Sequence, residues 1–84
     1  MPKSSVQTIT TTASIAVPAL PGDQSVYLHS ASGTIYIGGP DLTAANGYRM
    51  DNGDKLTIMV GDHEPLYAIT SSGTSTLYVL SQIN

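Results

Sequence analysis

Imidazole and carboxylate side chains meet at one place in this chain, Asp62-His63-Glu64. A histidine between two acids is raw material for an acid-base pair or a metal site, because a carboxylate orients an imidazole and favours its charged form. The spacing argues against both uses. Consecutive residues of a strand point to opposite faces, and the triplet lies between Gly61 and Pro65, which makes it the charged tip of a loop. The second histidine, His29, stands among Ser and Leu and reads as a surface or interface residue. Asp51-Asn52-Gly53-Asp54 lacks the ligand spacing and terminal glutamate of a calcium loop, and a tight Asn-Gly turn accounts for it. Gly38-Gly39-Pro40 has no following Gly-Lys-Ser/Thr and opens no long helix, so it is no phosphate loop. There is no Gly-x-Ser-x-Gly elbow, and two histidines leave a nucleophilic triad little to draw on. The expectation is a protein with no catalytic residues, no cofactor and no metal, and not an enzyme.

Tyrosine is the other side chain with a chemical handle. The chain has 5 tyrosines and neither phenylalanine nor tryptophan. A tyrosine hydroxyl needs a partner when buried, so tyrosine concentrates where one end is apolar and the other wet. Tyr27, Tyr36, Tyr67 and Tyr78 each follow an apolar residue and precede another, and they do so in two stretches that nearly copy each other. Val-Tyr-Leu-His-Ser-Ala-Ser-Gly-Thr at 26–34, followed by Ile-Tyr-Ile, matches Leu-Tyr-Ala-Ile-Thr-Ser-Ser-Gly-Thr at 66–74, followed after two residues by Leu-Tyr-Val-Leu, with an offset of 40 residues. Each copy reads as strand, Gly-containing turn, strand, and so as a β-hairpin used twice and related by a pseudo-two-fold axis. These tyrosines, with Tyr48, either shield the outer faces of the sheets or form a subunit interface.

Alternation assigns the faces. Val26, Leu28, Ile35, Ile37, Leu56, Ile58, Val60, Leu66, Ala68, Leu77 and Val79 share one parity and form the expected core, while His29, Met59, Ile69 and Leu80 join the tyrosines on the other. The Asn-Gly turn at 52–53 leads into a clean strand at 55–60, and residues 41–45 have the makings of one helical turn with Asp41 as its N-cap. Six strands, short turns and no helix to cover a sheet predict an all-β fold, a small β-sandwich or flattened barrel.

Residues 1–24 stand apart as an N-terminal arm, first strand and turn, before a sandwich domain at 25–84; the whole is a single domain. Residues 1–5 are polar and read as a frayed end. Residues 6–17 are rich in Thr and Ser, with Ile9, Ala13, Ile15 and Val17 on one side of a period-two pattern, and Pro18, Pro21 and Gly22 break the chain after them. The segment reads as an edge strand of the domain or as an arm laid on a neighbouring subunit. Because an extended arm leaves backbone donors and acceptors to be satisfied, Val6, Ile9, Ile15 and Val17 join Tyr27, Tyr36, Tyr48, Tyr67 and Tyr78 as expected interface residues.

An 84-residue chain buries a marginal core, and disulfides, metals or oligomerisation are the usual reinforcements. Cysteine is absent, which leaves oligomerisation. Charged residues make up 11% of the chain against the usual figure of about 25%, which suits a surface covered by other protein. Three cations, Lys3, Arg49 and Lys55, in a chain of net charge −3 cannot build a phosphate-neutralising cluster, so no nucleic-acid partner is expected. No apolar run has the length of a signal-peptide core or a membrane span, and a soluble protein made in the cytoplasm is expected, with no membrane partner.

Ser-Val-Tyr-Leu at 25–28, Ile-Tyr-Ile-Gly-Gly-Pro-Asp-Leu-Thr at 35–43, Asn-Gly-Tyr at 46–48 and Leu-Tyr-Ala-Ile-Thr-Ser-Ser-Gly-Thr at 66–74 resemble small β-rich virion proteins of tailed bacteriophages. The resemblance spans residues 25–80 and leaves the arm outside it. It implies a structural virion protein, a capsid decoration (cement) protein that binds the outer surface of the assembled head, with the major capsid protein as partner, self-association as a homo-oligomer, a trimer first, and the virion head surface as location. A head-fibre, neck or tail-fibre module with a receptor- or glycan-binding role is the alternative it implies.

Overall fold

The computed structural model describes residues 2–83, which form eight strands: β1 (Pro2–Ile9), β2 (Ser14–Val17), β3 (Gln24–Ser32), β4 (Ile35–Gly38), β5 (Tyr48–Met50), β6 (Lys55–Val60), β7 (Leu66–Ile69) and β8 (Ser75–Ile83). They pair into two antiparallel four-stranded sheets, ordered β1-β8-β3-β6 and β2-β7-β4-β5. The all-β sandwich expected from the alternation is the fold, in the strand order of a jelly roll. The first sheet is the larger, with strands of six to nine residues against three or four in the second.

The duplicated stretches are not hairpins. β3 lies in the larger sheet and β4 in the smaller, so residues 33–34 carry the chain across the sandwich; residues 70–74 carry it back from β7 to β8. Both strands of each copy bury one parity, and crossing to the facing sheet lets both inner faces meet a single core. Ser30, fully buried, donates its hydroxyl to Gly33 O at 3.1 Å and holds the first corner tight. Thr70 donates to Thr34 O at 2.8 Å and accepts from Ser75 Oγ at 3.3 Å, which staples the two corners together. Strand pairing runs between the copies, β3 with β8 and β4 with β7. Written as β6-β3-β8-β1, the larger sheet maps strand for strand onto β2-β7-β4-β5, so the pseudo-two-fold relation exchanges the sheets.

The expected arm belongs to the sandwich. β1 pairs with β8 along its whole length, and β2 pairs with β7. Ile9 and Val17 are each 1% exposed in the domain's own core, so these two are core side chains rather than interface ones. Fully burying such a side chain stabilises by about 1.5–3 kcal/mol, more than an arm of this composition gains in water. A bulge between Ile15 and Val17 breaks the period-two pattern, turning Ile15 outward and Ala16 and Val17 inward. All eleven expected core residues lie in or against the buried cluster, and Ile9, Ala16, Val17 and Met50 complete it.

The expected helical turn at 41–45 is absent. Leu42 N donates to Gly39 O at 3.1 Å and Gly47 N to Thr43 O at 3.0 Å, giving two successive turns. Asn46 organises the second, accepting from Thr43 N at 2.7 Å and donating to Asp41 O at 3.1 Å. A side chain that satisfies nearby backbone in a non-helical form competes with the helix.

Candidate interaction surfaces

Asp62 and His63 act as a latch between loops. Asp62 Oδ1 accepts from Gly22 N at 2.6 Å and lies 2.9 Å from His63 Nδ1, while His63 N donates to Leu20 O at 2.9 Å. Gly22 and Asp62 are 40 residues apart, the repeat offset, so the latch sits beside the pseudo-two-fold axis. His63 takes a φ of 59°, a left-handed conformation that an imidazole enters at some strain and that the latch sustains. Among the described residues, no group of three or more His, Cys, Asp or Glu side chains is placed to hold a metal ion.

The corners also divide the tyrosines. Tyr27 and Tyr78 lie on the outside of the larger sheet, Tyr36 and Tyr67 half-buried on the outside of the smaller, back to back across the core. Tyr48 is exposed at the β5 edge, and Ile15 is exposed on β2. Val6 stands 62% exposed, paired in register with Tyr78. The expected interface residues thus fall on two opposite faces and in the core, not on one surface. Arg49 Nε donates to Asp51 Oδ1 at 2.7 Å beside Tyr36, and this hydrogen bond, with the carboxylate's charge, raises the guanidinium pKa above its ordinary value.

A sheet edge offers backbone donors and acceptors to any approaching strand, and folded proteins blunt such edges with proline, inward charges, bulges or short length. Three of the four edges here are blunted. Ser30 N donates to Asp54 O at 3.0 Å, and alternation from that pair aims the backbone groups of Leu56, Ile58 and Val60 at β3 and those of Lys55, Thr57 and Met59 outward. The same alternation carried across β3 and β8 aims the odd-numbered residues of β1 at β8, leaving Pro2, which has no N–H, at an outward position. β1 also points Lys3, Ser5 and Gln7 towards a cleft of about 180 Å³ beside buried Gln24. β2 has four residues and a bulge, and β5 has three residues.

β6 has no proline, inward charge, bulge or shortness, and its one guard is Lys55 at its first residue. Leu56-Thr57-Ile58-Met59-Val60 carries no charge, proline or glycine, and Met59 is 64% exposed. Behind it, where short β5 leaves the larger sheet uncovered, opens an apolar cleft of about 340 Å³ lined by Ile37, Tyr48, Leu56, Ile58 and Leu66. Sequence reasoning read this run as a clean strand and missed its place at an edge. The signal was there in an uncharged, β-prone window of five residues.

No family model and no curated protein matches the chain. Its fold matches a solved structure of a Bacillus endospore appendage, from a family of disulfide-linked pili, with a TM-score of 0.66 and 18% identity over 99% of this chain and 85% of that one. At that identity the likeness carries the fold. It also corrects the expectation of a phage capsid decoration protein, with its head-fibre, neck and tail-fibre alternatives: the matching architecture is that of a bacterial surface pilus.

Proposed function

We propose that this chain is a non-catalytic structural subunit that assembles with copies of itself into a fibre of the surface-appendage kind. The observation that carries the reading is the β6 edge, the one strand edge among the described residues without proline, inward charge, bulge or shortness to protect it. An edge strand of a second copy that adds to β6 satisfies the outward N–H and C=O groups of Thr57 and Met59 and extends the larger sheet from one subunit to the next. The same addition covers the apolar cleft between Tyr48 and Ile58. Pairing of β6 with a different edge strand, β1, β2 or β5, of the next copy is a head-to-tail contact, and one whose rotation does not close repeats as a filament. Low charge and the fold shared with a pilus protein support the reading. The cysteine-free sequence rules out a disulfide at any such joint between these residues, unlike the disulfide-linked pili of the fold neighbour.

Sedimentation and negative-stain electron microscopy of the concentrated, purified chain test it. Wild type is expected to form fibres or long oligomers, and Thr57→Pro, which removes an outward N–H from the edge and none from the β3 ladder, to remain folded and unpolymerised. Ser4→Pro, at an outward position of β1 already next to blunting residues, has the smaller effect. A wild-type chain that stays monomeric at millimolar concentration overturns the proposal.

A further inference from the structure

The outside of the larger sheet carries no carboxylate. All six carboxylates, Asp23, Asp41, Asp51, Asp54, Asp62 and Glu64, lie in connections between strands. The face itself presents Val6, Tyr27, Met59, Tyr78 and Leu80, five of the eight large apolar side chains exposed among the described residues, with Lys55 and His29 as its only basic groups. Two rows cross it in register: Val6, Tyr78, His29 and Lys55, then Ser4, Leu80, Tyr27 and Thr57. The His29 and Tyr78 rings lie 6.1 Å apart, and the rows bound a shallow groove of about 690 Å³. Contiguous apolar surface of this kind marks an interaction site.

We infer that this face docks on the same face of a second copy, as a two-fold pair of stacked sheets. The inference rests on the self-assembly reading only in naming a second copy as the occupant; the face uses the side chains of Thr57 and Met59, the edge their backbone groups. Size supports it first. Strands of eight, nine, nine and six residues at about 3.3 Å per residue and about 4.8 Å apart make a face of about 510 Å² per copy, so a pair buries about 1,000 Å², which matches the roughly 1,000 Å² a specific interface needs. Complementarity supports it second. A two-fold axis running along the strands between β8 and β3 lays Tyr78 of one copy over His29 of the other, and Leu80 over Tyr27. The same axis brings the aliphatic stem of Lys55 over Val6 of the second copy and keeps the two lysines apart. No carboxylate loses water, and facing sheets stack at the usual aligned angle.

The test uses the Thr57→Pro chain, in which edge polymerisation is blocked; Thr57 stands at the rim of the face, so a Thr57→Ala chain run beside it shows what losing that side chain alone does to the pair. Sedimentation equilibrium is expected to show a concentration-dependent dimer, and adding Leu80→Lys at the centre of the face is expected to weaken that dimer by about tenfold or more, since a lysine there buries an unpaired charge. Circular dichroism checks that both chains stay folded, and Tyr78→Ser gives a second reading should Leu80→Lys unfold. Thr57→Pro that stays monomeric at millimolar concentration overturns the inference, as a face reserved for a different protein would make it do. So does a dimer that folded Leu80→Lys or Tyr78→Ser leaves as tight as before. The two proposals fail separately: wild-type fibres with a monomeric Thr57→Pro chain remove the stacked pair alone, and dimers lost on Leu80→Lys without any fibres remove the edge reading alone.

Discussion

The two halves of the sandwich share one strand plan and end in opposite ways. In the first, β2, β3, β4 and β5 follow one another in sequence; in the second, β6, β7 and β8 do, and the fourth place is filled by β1 from the other end of the chain. β2 and β6 occupy equivalent edges, yet β2 is short and bulged while β6 is six residues of open strand, uncharged after Lys55. The equivalent fourth strands differ in the same sense, three residues in β5 against eight in β1. Topology fixes which strands are edges; local sequence decides whether an edge is closed to neighbours or open to them.

Removing a fourth strand has the largest expected effect. Deleting residues 1–17 takes away β1 and β2 and should leave a chain without a cooperative unfolding transition in urea. Ile9→Ala and Met50→Ala cut fully buried side chains on the equivalent strands β1 and β5, and each should cost about 2–5 kcal/mol. Val6→Ala, on the outer face of the same strand, should stay within about 0.5 kcal/mol. An Ile9→Ala cost as small as that of Val6→Ala would show that β1 completes nothing.

The corners sharpen the contrast at a finer scale. Gly33 and Gly73 are equivalent and have φ values of 70° and 63°, so alanine at either is strained by about 1–2 kcal/mol. A Cβ on Gly33 would also stand 2.5 Å from Ser75 Oγ, whereas a Cβ on Gly73 meets nothing within 4 Å. Displacing Ser75 breaks its bond to Thr70, so Gly33→Ala should exceed Gly73→Ala by about 1 kcal/mol in thermal or urea unfolding. Equal losses would mean that the serine moves aside freely. A smaller loss than at either corner is expected of Asp62→Ala, which opens the exposed latch to Gly22 and should cost about 0.5–1.5 kcal/mol, with faster amide exchange at Gly22 as its local sign.

How much of this the residues disclosed depends on range. The strands flanking the two glycine corners and β6, with their inward parity, were legible, because alternation at Val26, Leu28, Ile35 and Ile37 is a local pattern set by burial on one side; six strands were expected where eight form, since residues 6–17 read as one segment and β5 has only three residues. The corners were not, since a Gly-containing turn between two strands reads alike whether the second strand returns to its own sheet or crosses to the other. Ile15 and Val17 shared a parity until a single bulge separated them. For the interaction surfaces, the residue types were visible and their grouping was not. Tyr27 and Tyr78 meet only because β3 pairs with β8, and β6 becomes an edge only through an order of strands that no local pattern encodes.

The joint between β1 and β8 bears on how the molecule comes to exist at all. Ser81 and Lys3, joined there at 3.5 Å, are 78 positions apart along the chain, so that joint closes a loop of nearly the whole sequence and loses the most chain entropy of any pairing in the fold. It belongs late on the folding route, after the corners and the β3-β8 pair have formed, and a sandwich of this connectivity acquires its native state in milliseconds to seconds rather than microseconds. During that interval the flank of β8 stands vacant beside a waiting strand. At high concentration, the β1 that arrives first can belong to another molecule.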